Sequence, residues 1–118
     1  MVKGNEDLNR SLMEYENMEK QLEVLLIQKH QLQIQVNERK HAQEELKKAT
    51  GDVYKTVGTI IMHTTKETAD KELKNELELL EVKLTAITKQ EEKLRSTVME
   101  AQRKLQERMK DYGKNGAQ

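Results

Sequence analysis

A predominantly α-helical fold, a long antiparallel two-helix coiled coil with a central β-hairpin, follows from three features of the sequence. Only 35% of the 118 residues are hydrophobic while 36% are charged, and Phe, Trp, Cys and Pro are absent, a composition of long helices rather than of a packed globular core. Apolar residues recur at heptad spacing on both sides of the centre, which argues against disorder despite the charge. Between the two patterns, residues 50–67 (TGDVYKTVGTIIMHTTKE) hold β-branched or aromatic Val53, Tyr54, Thr56, Val57, Thr59, Ile60 and Ile61, with Gly51 before them and Gly58 among them.

The first helix is expected over residues 5–49, with Asn5 as N-cap and Glu6 and Asp7 in the first turn, where the helix dipole favours negative charge. Leu8, Tyr15, Leu22, Lys29, Val36 and Gln43 form one series of its seam, and Ser11, Met18, Leu25, Leu32, Arg39 and Leu46 the other. Thr50-Gly51 is its stop, so that at 1.5 Å per residue it runs for roughly 65–70 Å. Residues 50–67 form the hairpin segment, and the second helix covers 68–112. It is announced by Thr64 and Glu67 at capping-box spacing. Its seam is Leu73, Leu80, Ile87, Leu94, Ala101 and Arg108 with Leu77, Leu84, Glu91, Val98, Leu105 and Tyr112. Gly113 is the expected C-cap, and 113–118 a frayed tail, all within one domain.

Acid-to-base pairs at i, i+4 (Glu16 and Lys20, Glu44 and Lys48, Asp70 and Lys74, Glu91 and Arg95, Glu100 and Lys104) mark a solvated face. Two seam positions break the apolar rule. Folding the chain about Gly58 brings Lys29 within a helical turn of Glu91, which predicts a register-fixing ion pair at a cost in stability; the alternative is that Lys29 snorkels outward.

Gly58-Thr59 suits a two-residue type II′ turn, facing Val57 with Ile60 and Lys55 with Met62. Val53, Val57, Ile60 and Met62 then share one face, and Tyr54 and Ile61, with Thr56 and His63, the other. A lone two-stranded ribbon is marginal in water and has nothing to bury both faces against, so oligomerisation through this stretch is expected; a flexible loop or a continued helix are the alternatives.

The 21 basic and 21 acidic residues are interspersed, which disfavours a nucleic-acid binder. The longest aliphatic run, Val24-Leu25-Leu26-Ile27, is far short of a membrane span, and no signal-peptide core opens the chain, so a cytoplasmic protein is expected. No catalytic, cofactor or metal site is predicted. Ser11 and Ser96 have no histidine at helical spacing, His30, His41 and His63 are scattered, and no glycine-rich phosphate loop is present. The chain is not expected to be an enzyme; a structural coiled-coil adaptor with one defined partner is one reading, and the other, a client-binding chaperone subunit, is carried only by a family resemblance at the hairpin.

The run Val53-Tyr54-Lys55-Thr56-Val57-Gly58-Thr59-Ile60-Ile61, set midway between two heptad-bearing helices, resembles the signature of the prefoldin β-subunit family, most nearly its archaeal type. Residues 77–94, LELLEVKLTAITKQEEKL, are similar to that family as well, while Met62 and His63 stand where it more often has aliphatic or basic residues. The resemblance covers nearly the whole chain. It implies an α2β4 hexamer, built from an α-type subunit and further copies of this chain, whose hairpins assemble into an oligomeric β-barrel through Val53, Tyr54, Val57, Gly58, Ile60, Ile61 and Met62. It further implies coiled-coil arms whose tips hold unfolded polypeptides without ATP and pass them to a group II chaperonin.

Both chain ends fall at such tips, which nominates Leu8, Leu12, Met13, Leu105, Met109 and Tyr112 for client contact. All methionines but Met62 (Met1, Met13, Met18, Met99 and Met109) lie in the outer halves of the helices, where a flexible thioether suits many apolar sequences. Leu8, Tyr15, Met18 and Leu105 also lie on the seam, where packing competes as their role; Leu12, Met13 and Met109 lie off it.

Overall fold

The computed structural model describes residues 2–116, so Met1 and the last two residues of the expected tail lie outside it. Its elements follow the predicted order: helix α1 (Val2–Lys48), strands β1 (Val53–Val57) and β2 (Ile60–Thr64), and helix α2 (Lys66–Gly116). The chain divides into two units, one holding Met1–Gln28 with Ile87–Gln118 and the other Lys29–Ala86.

Helix ends depart from the sequence reading in three places. α1 begins at Val2, ahead of Asn5, which leaves Glu6 and Asp7 beyond the first turn. No proline interrupts residues 2–5, and Gly4 costs a helix only about 1 kcal/mol, too little to force a start at Asn5. At the other end of the chain α2 runs through Gly113 to Gly116, and Gly113 has no positive φ, so it does not act as the C-cap. The third departure is at the start of α2. Thr64 pairs with Val53 as the last residue of β2, and this ladder position removes it from a capping role. Thr65 takes that role: its Oγ accepts from the Thr68 backbone N–H at 3.1 Å and donates to the Thr68 hydroxyl at 2.8 Å. The first helical bond follows, from Ala69 N–H to the Thr65 carbonyl at 2.9 Å.

The C-terminus of α1 is closed from outside. Lys66 Nζ donates to the carbonyls of Lys47 (3.1 Å) and Ala49 (3.4 Å), satisfying acceptors that a helix end leaves open. Lys47 and Lys48 add positive charge where the dipole favours it. Gly51, with φ +99°, then turns the chain into β1.

Within the unit Lys29–Ala86 the core is Val36, Leu77 and Leu80, flanked by Leu32 and Leu84, with Leu46 buried nearer the hairpin. Within the other unit Val98 and Leu105 are buried, and Leu8, Ser11, Tyr15, Met18, Leu22, Leu25, Leu94 and Ala101 are half-buried. These are the heptad positions, residue by residue. The seam ends before its last two expected members, since Arg108 and Tyr112 are exposed. Arg108 instead donates to Ser11 Oγ at 2.6 Å, a polar contact that takes the place of seam packing there. No described side chain is less than 2% exposed, as expected where two helices share one seam.

Seam polar residues find local solutions. Arg39 reaches outward to Glu76 (Nε, 3.1 Å) and Glu38 (Nη1, 3.4 Å). Of the five expected i, i+4 pairs, Asp70–Lys74, Glu91–Arg95 and Glu100–Lys104 form, at 2.9, 3.7 and 3.9 Å. Glu16–Lys20 and Glu44–Lys48 are not among the ion pairs of the described residues; on exposed helix faces the entropy of two long side chains offsets so weak an attraction.

Candidate interaction surfaces

β1 and β2 pair antiparallel in the expected register, Val57 with Ile60 and Lys55 with Met62, through to Val53 with Thr64. Gly58 has φ +61° while Thr59 has a negative φ, the combination of a type II′ turn. The register places Val53, Lys55, Val57, Ile60, Met62 and Thr64 on one face and Tyr54, Thr56, Ile61 and His63 on the other.

The base of the first face is tied to α2. Val53, Lys55 and Thr64 are half-buried, and Lys55 Nζ lies 3.2 and 3.3 Å from the two carboxylate oxygens of Glu72. Beneath it, Ala42, Leu46, Ala69 and Leu73 line a groove against β1. The rest of the hairpin is uncovered: Tyr54, Val57, Ile60, Ile61 and Met62 are all exposed, Ile61 by 72%. On the second face the Tyr54 and His63 rings meet edge-on at 5.4 Å, and His63 Nε2 lies 3.6 Å from Asp52 Oδ1. Two strands make up the whole sheet, so the outer edge of each is open.

The residues nominated near the chain ends divide. Leu105 is 7% exposed and Leu8 is half-buried, so both pack the seam. Leu12, Met13, Met109 and Tyr112 are exposed, and Met99 joins them. Met18 instead lines a shallow hollow with Ser11, Thr97, Ala101 and Leu105. At Tyr15, desolvation and then the Glu19 carboxylate, which also accepts its hydrogen bond, raise the phenol above its ordinary pKa of 10.0. Of the two proposed register residues, Glu91 is buried, 6% exposed, with Arg95 Nη2 3.7 Å from it, and Lys29 is half-buried.

Sequence reasoning missed Lys66 as the closure of α1, the Lys55–Glu72 link and the exposed aliphatic residues on the backs of the helices: Val24, Ile27 and Ile34 on α1, and Leu79 and Val82 on α2. No local spacing signals the first two. The third group was visible as apolar residues outside the heptad positions. Among the described residues no group of three His, Asp or Glu side chains could hold a metal ion, and no helix is long and apolar enough to cross a membrane.

Two long helices joined by a β-hairpin whose apolar residues face solvent define a class of coiled-coil protein with an uncovered two-stranded sheet at its centre. The prefoldin subunit family model matches residues 9–112, and the chain belongs to the prefoldin family. It is 44% identical over 97 residues to the prefoldin subunit beta of Pyrococcus furiosus, covering 80% of this chain and 83% of that one. Against the prefoldin subunit beta of Methanosarcina acetivorans the identity is 31% over 102 residues, with 85% and 87% covered. The crystal structure of the prefoldin beta subunit from Thermococcus strain KS-1 superposes with a TM-score of 0.79 at 37% identity, covering 86% of this chain and 90% of that one. The family is one of non-enzymatic chaperones, and its β subunits work in hetero-oligomers with other prefoldin subunits.

Proposed function

We propose that this chain is the β-type subunit of a cytoplasmic α2β4 prefoldin hexamer that holds unfolded polypeptides without ATP and delivers them to a group II chaperonin. The observation that carries the assembly is the hairpin itself: five large apolar side chains exposed on two faces of a two-stranded sheet with open edges. In water that surface is unfavourable by roughly 25 cal/mol per Å² of apolar area, and closing hairpins from several subunits into a β-barrel buries it while pairing the edges. Val53, Tyr54, Val57, Ile60, Ile61 and Met62 build that barrel, and Gly58 supplies its turn.

Client contact is assigned to the residues left exposed near the chain ends, Leu12, Met13, Met109 and Tyr112. Leu8 and Leu105, packed on the seam, support the surface from behind. Capture needs no chemistry, only adaptable apolar contacts presented by several arms at once, so that weak individual contacts add up.

Mixing the chain with a prefoldin α-type subunit and weighing the product by native mass spectrometry tests the assembly. Tyr54→Asp with Ile61→Asp should retain helical circular dichroism and lose the hexamer; an unchanged mass overturns the role of the hairpin. A Leu12→Ser, Met13→Ser, Met109→Ser variant should retain the hexamer and lose most of its protection of several unrelated denatured proteins against aggregation. Undiminished protection overturns the client assignment. Protection of none, with tight binding of a single partner, identifies an adaptor instead.

A further inference from the structure

The chain has six methionines and neither cysteine nor tryptophan, so thioethers are the groups through which a two-electron oxidant acts on it. Among the described residues Met18 is half-buried in its seam, while Met13, Met62, Met99 and Met109 are exposed. Met62 stands apart from the other three. It is 48% exposed on the hairpin, within the unit Lys29–Ala86, on the face it shares with Val53, Val57 and Ile60. The others lie on helix surfaces of the unit that holds the chain ends.

Position decides what one added oxygen atom does. A sulfur lone pair attacks the outer oxygen of a hydroperoxide: the O–O bond breaks, an S–O bond forms, and the peroxide is reduced to an alcohol or, from hydrogen peroxide, to water. Sulfur loses two electrons, and the apolar tip of the side chain becomes a hydrogen-bond acceptor. On an exposed helix surface water solvates that acceptor, whereas a hairpin face closed by assembly removes it from water. The nearest cation is already committed. Lys55, directly across the ladder from Met62, has its Nζ held by both carboxylate oxygens of Glu72 at 3.2 and 3.3 Å, and drawing it to the new oxygen would loosen that link between hairpin and α2. Val57 and Ile60, at the turn end of the same face, carry no side-chain donor.

We infer that Met62 is an oxidation site that controls assembly: its thioether, oxidised by a hydroperoxide in the free chain, bars the hairpin from the hexamer. The inference rests on the role proposed above for the hairpin. Modification and assembly then exclude each other. A chain oxidised before it meets its partners stays out, and a chain already assembled is shielded at Met62 while Met13, Met99 and Met109 remain open to the same oxidant.

Hydrogen peroxide is the probe, applied to the full-length chain before or after hexamer formation with a prefoldin α-type subunit, and removed by catalase before any mixing. Peptide mass spectrometry reads the added oxygen at each methionine, and mass photometry follows assembly over a dilution series. Met62 should be oxidised several-fold more slowly in the hexamer than in the free chain, with Met13, Met99 and Met109 little changed. Chain oxidised beforehand should need a concentration about tenfold higher or more to assemble, since every copy carries the oxygen into the interface. Methionine sulfoxide reductases should reverse that shift. Each variant is compared with itself before treatment: Met62→Leu should show no shift, and Met13→Leu/Met99→Leu/Met109→Leu the full shift. Equal oxidation of Met62 in both states, undiminished assembly of chain carrying the Met62 sulfoxide, an equal shift in Met62→Leu, or a loss that the reductases do not reverse overturns the inference and leaves the role of the hairpin standing. Hexamer formation by Tyr54→Asp with Ile61→Asp overturns that role, and the inference with it.

Discussion

Substitution of Gly58 isolates the contribution of one backbone angle to assembly. The residue holds φ +61° at the first central position of the hairpin turn, and a Cβ added there would meet no atom within 4 Å. Any loss in Gly58→Ala is therefore conformational rather than steric. A left-handed angle costs an L-residue about 1–2 kcal/mol, and the smaller conformational freedom of alanine in the unfolded chain returns part of this, leaving about 1 kcal/mol per hairpin. If the four copies of the proposed hexamer must each hold the turn, the assembly equilibrium loses about 4 kcal/mol, close to a thousandfold. Gly58→Asn should lose less, because asparagine tolerates this region, and Gly58→Val more.

Mass photometry over a dilution series reads the effect directly as a shift in the concentration at which the hexamer dissociates, with circular dichroism confirming that the helices persist. The order expected is glycine, then asparagine, then alanine, then valine. Dissociation of all four at one concentration would mean that the turn is not needed in this form, and asparagine falling below valine would remove φ as the cause.

Three further comparisons of variants test the arms. Thr65→Ala should lower the urea midpoint by an amount equivalent to about 1 kcal/mol, with Thr64→Ala doing less at the α2 cap; the reverse order would restore Thr64 as the cap. Leu80→Ala, in the core with Val36 and Leu77, should cost about 2 kcal/mol in urea unfolding, the low end of the usual range because a two-helix seam admits water readily, while Val82→Ala two residues on should change stability by less than about 0.5 kcal/mol. For Lys29 and Glu91, melting of Lys29→Leu, Glu91→Leu and the double variant forms a cycle. A coupling of about 0.5 kcal/mol or more supports the proposed register pair, and additive effects dismiss it in favour of an outward-reaching Lys29.

The helices and the hairpin were legible because each rests on a period. Heptad spacing named the buried positions from Leu8 to Leu105, and the cross-strand pairs followed once Gly58 was placed at the turn. Helix ends were less legible because several residues compete for a difference of about 1 kcal/mol. At the start of α2 the competition was between Thr64 and Thr65, and it was decided outside the helix, by the β2 ladder that claims Thr64. At Gly113 propensity pointed to a stop, but a glycine ends a helix only where the chain also turns left-handed, and here it does not.

The surfaces show a different limit. A period says which residues face the partner helix and is silent about the rest, so the outward residues become informative only where they depart from what water favours. Leu105 and Met109 illustrate the difference: four residues apart on one helix and both apolar, one is closed into the seam and the other is open to solvent. Apolar character near the chain ends nominated both for client contact, and heptad position separated them. The same comparison applied to Leu77 and Val82 isolates the outer face of α2, since only the first is accounted for by the seam.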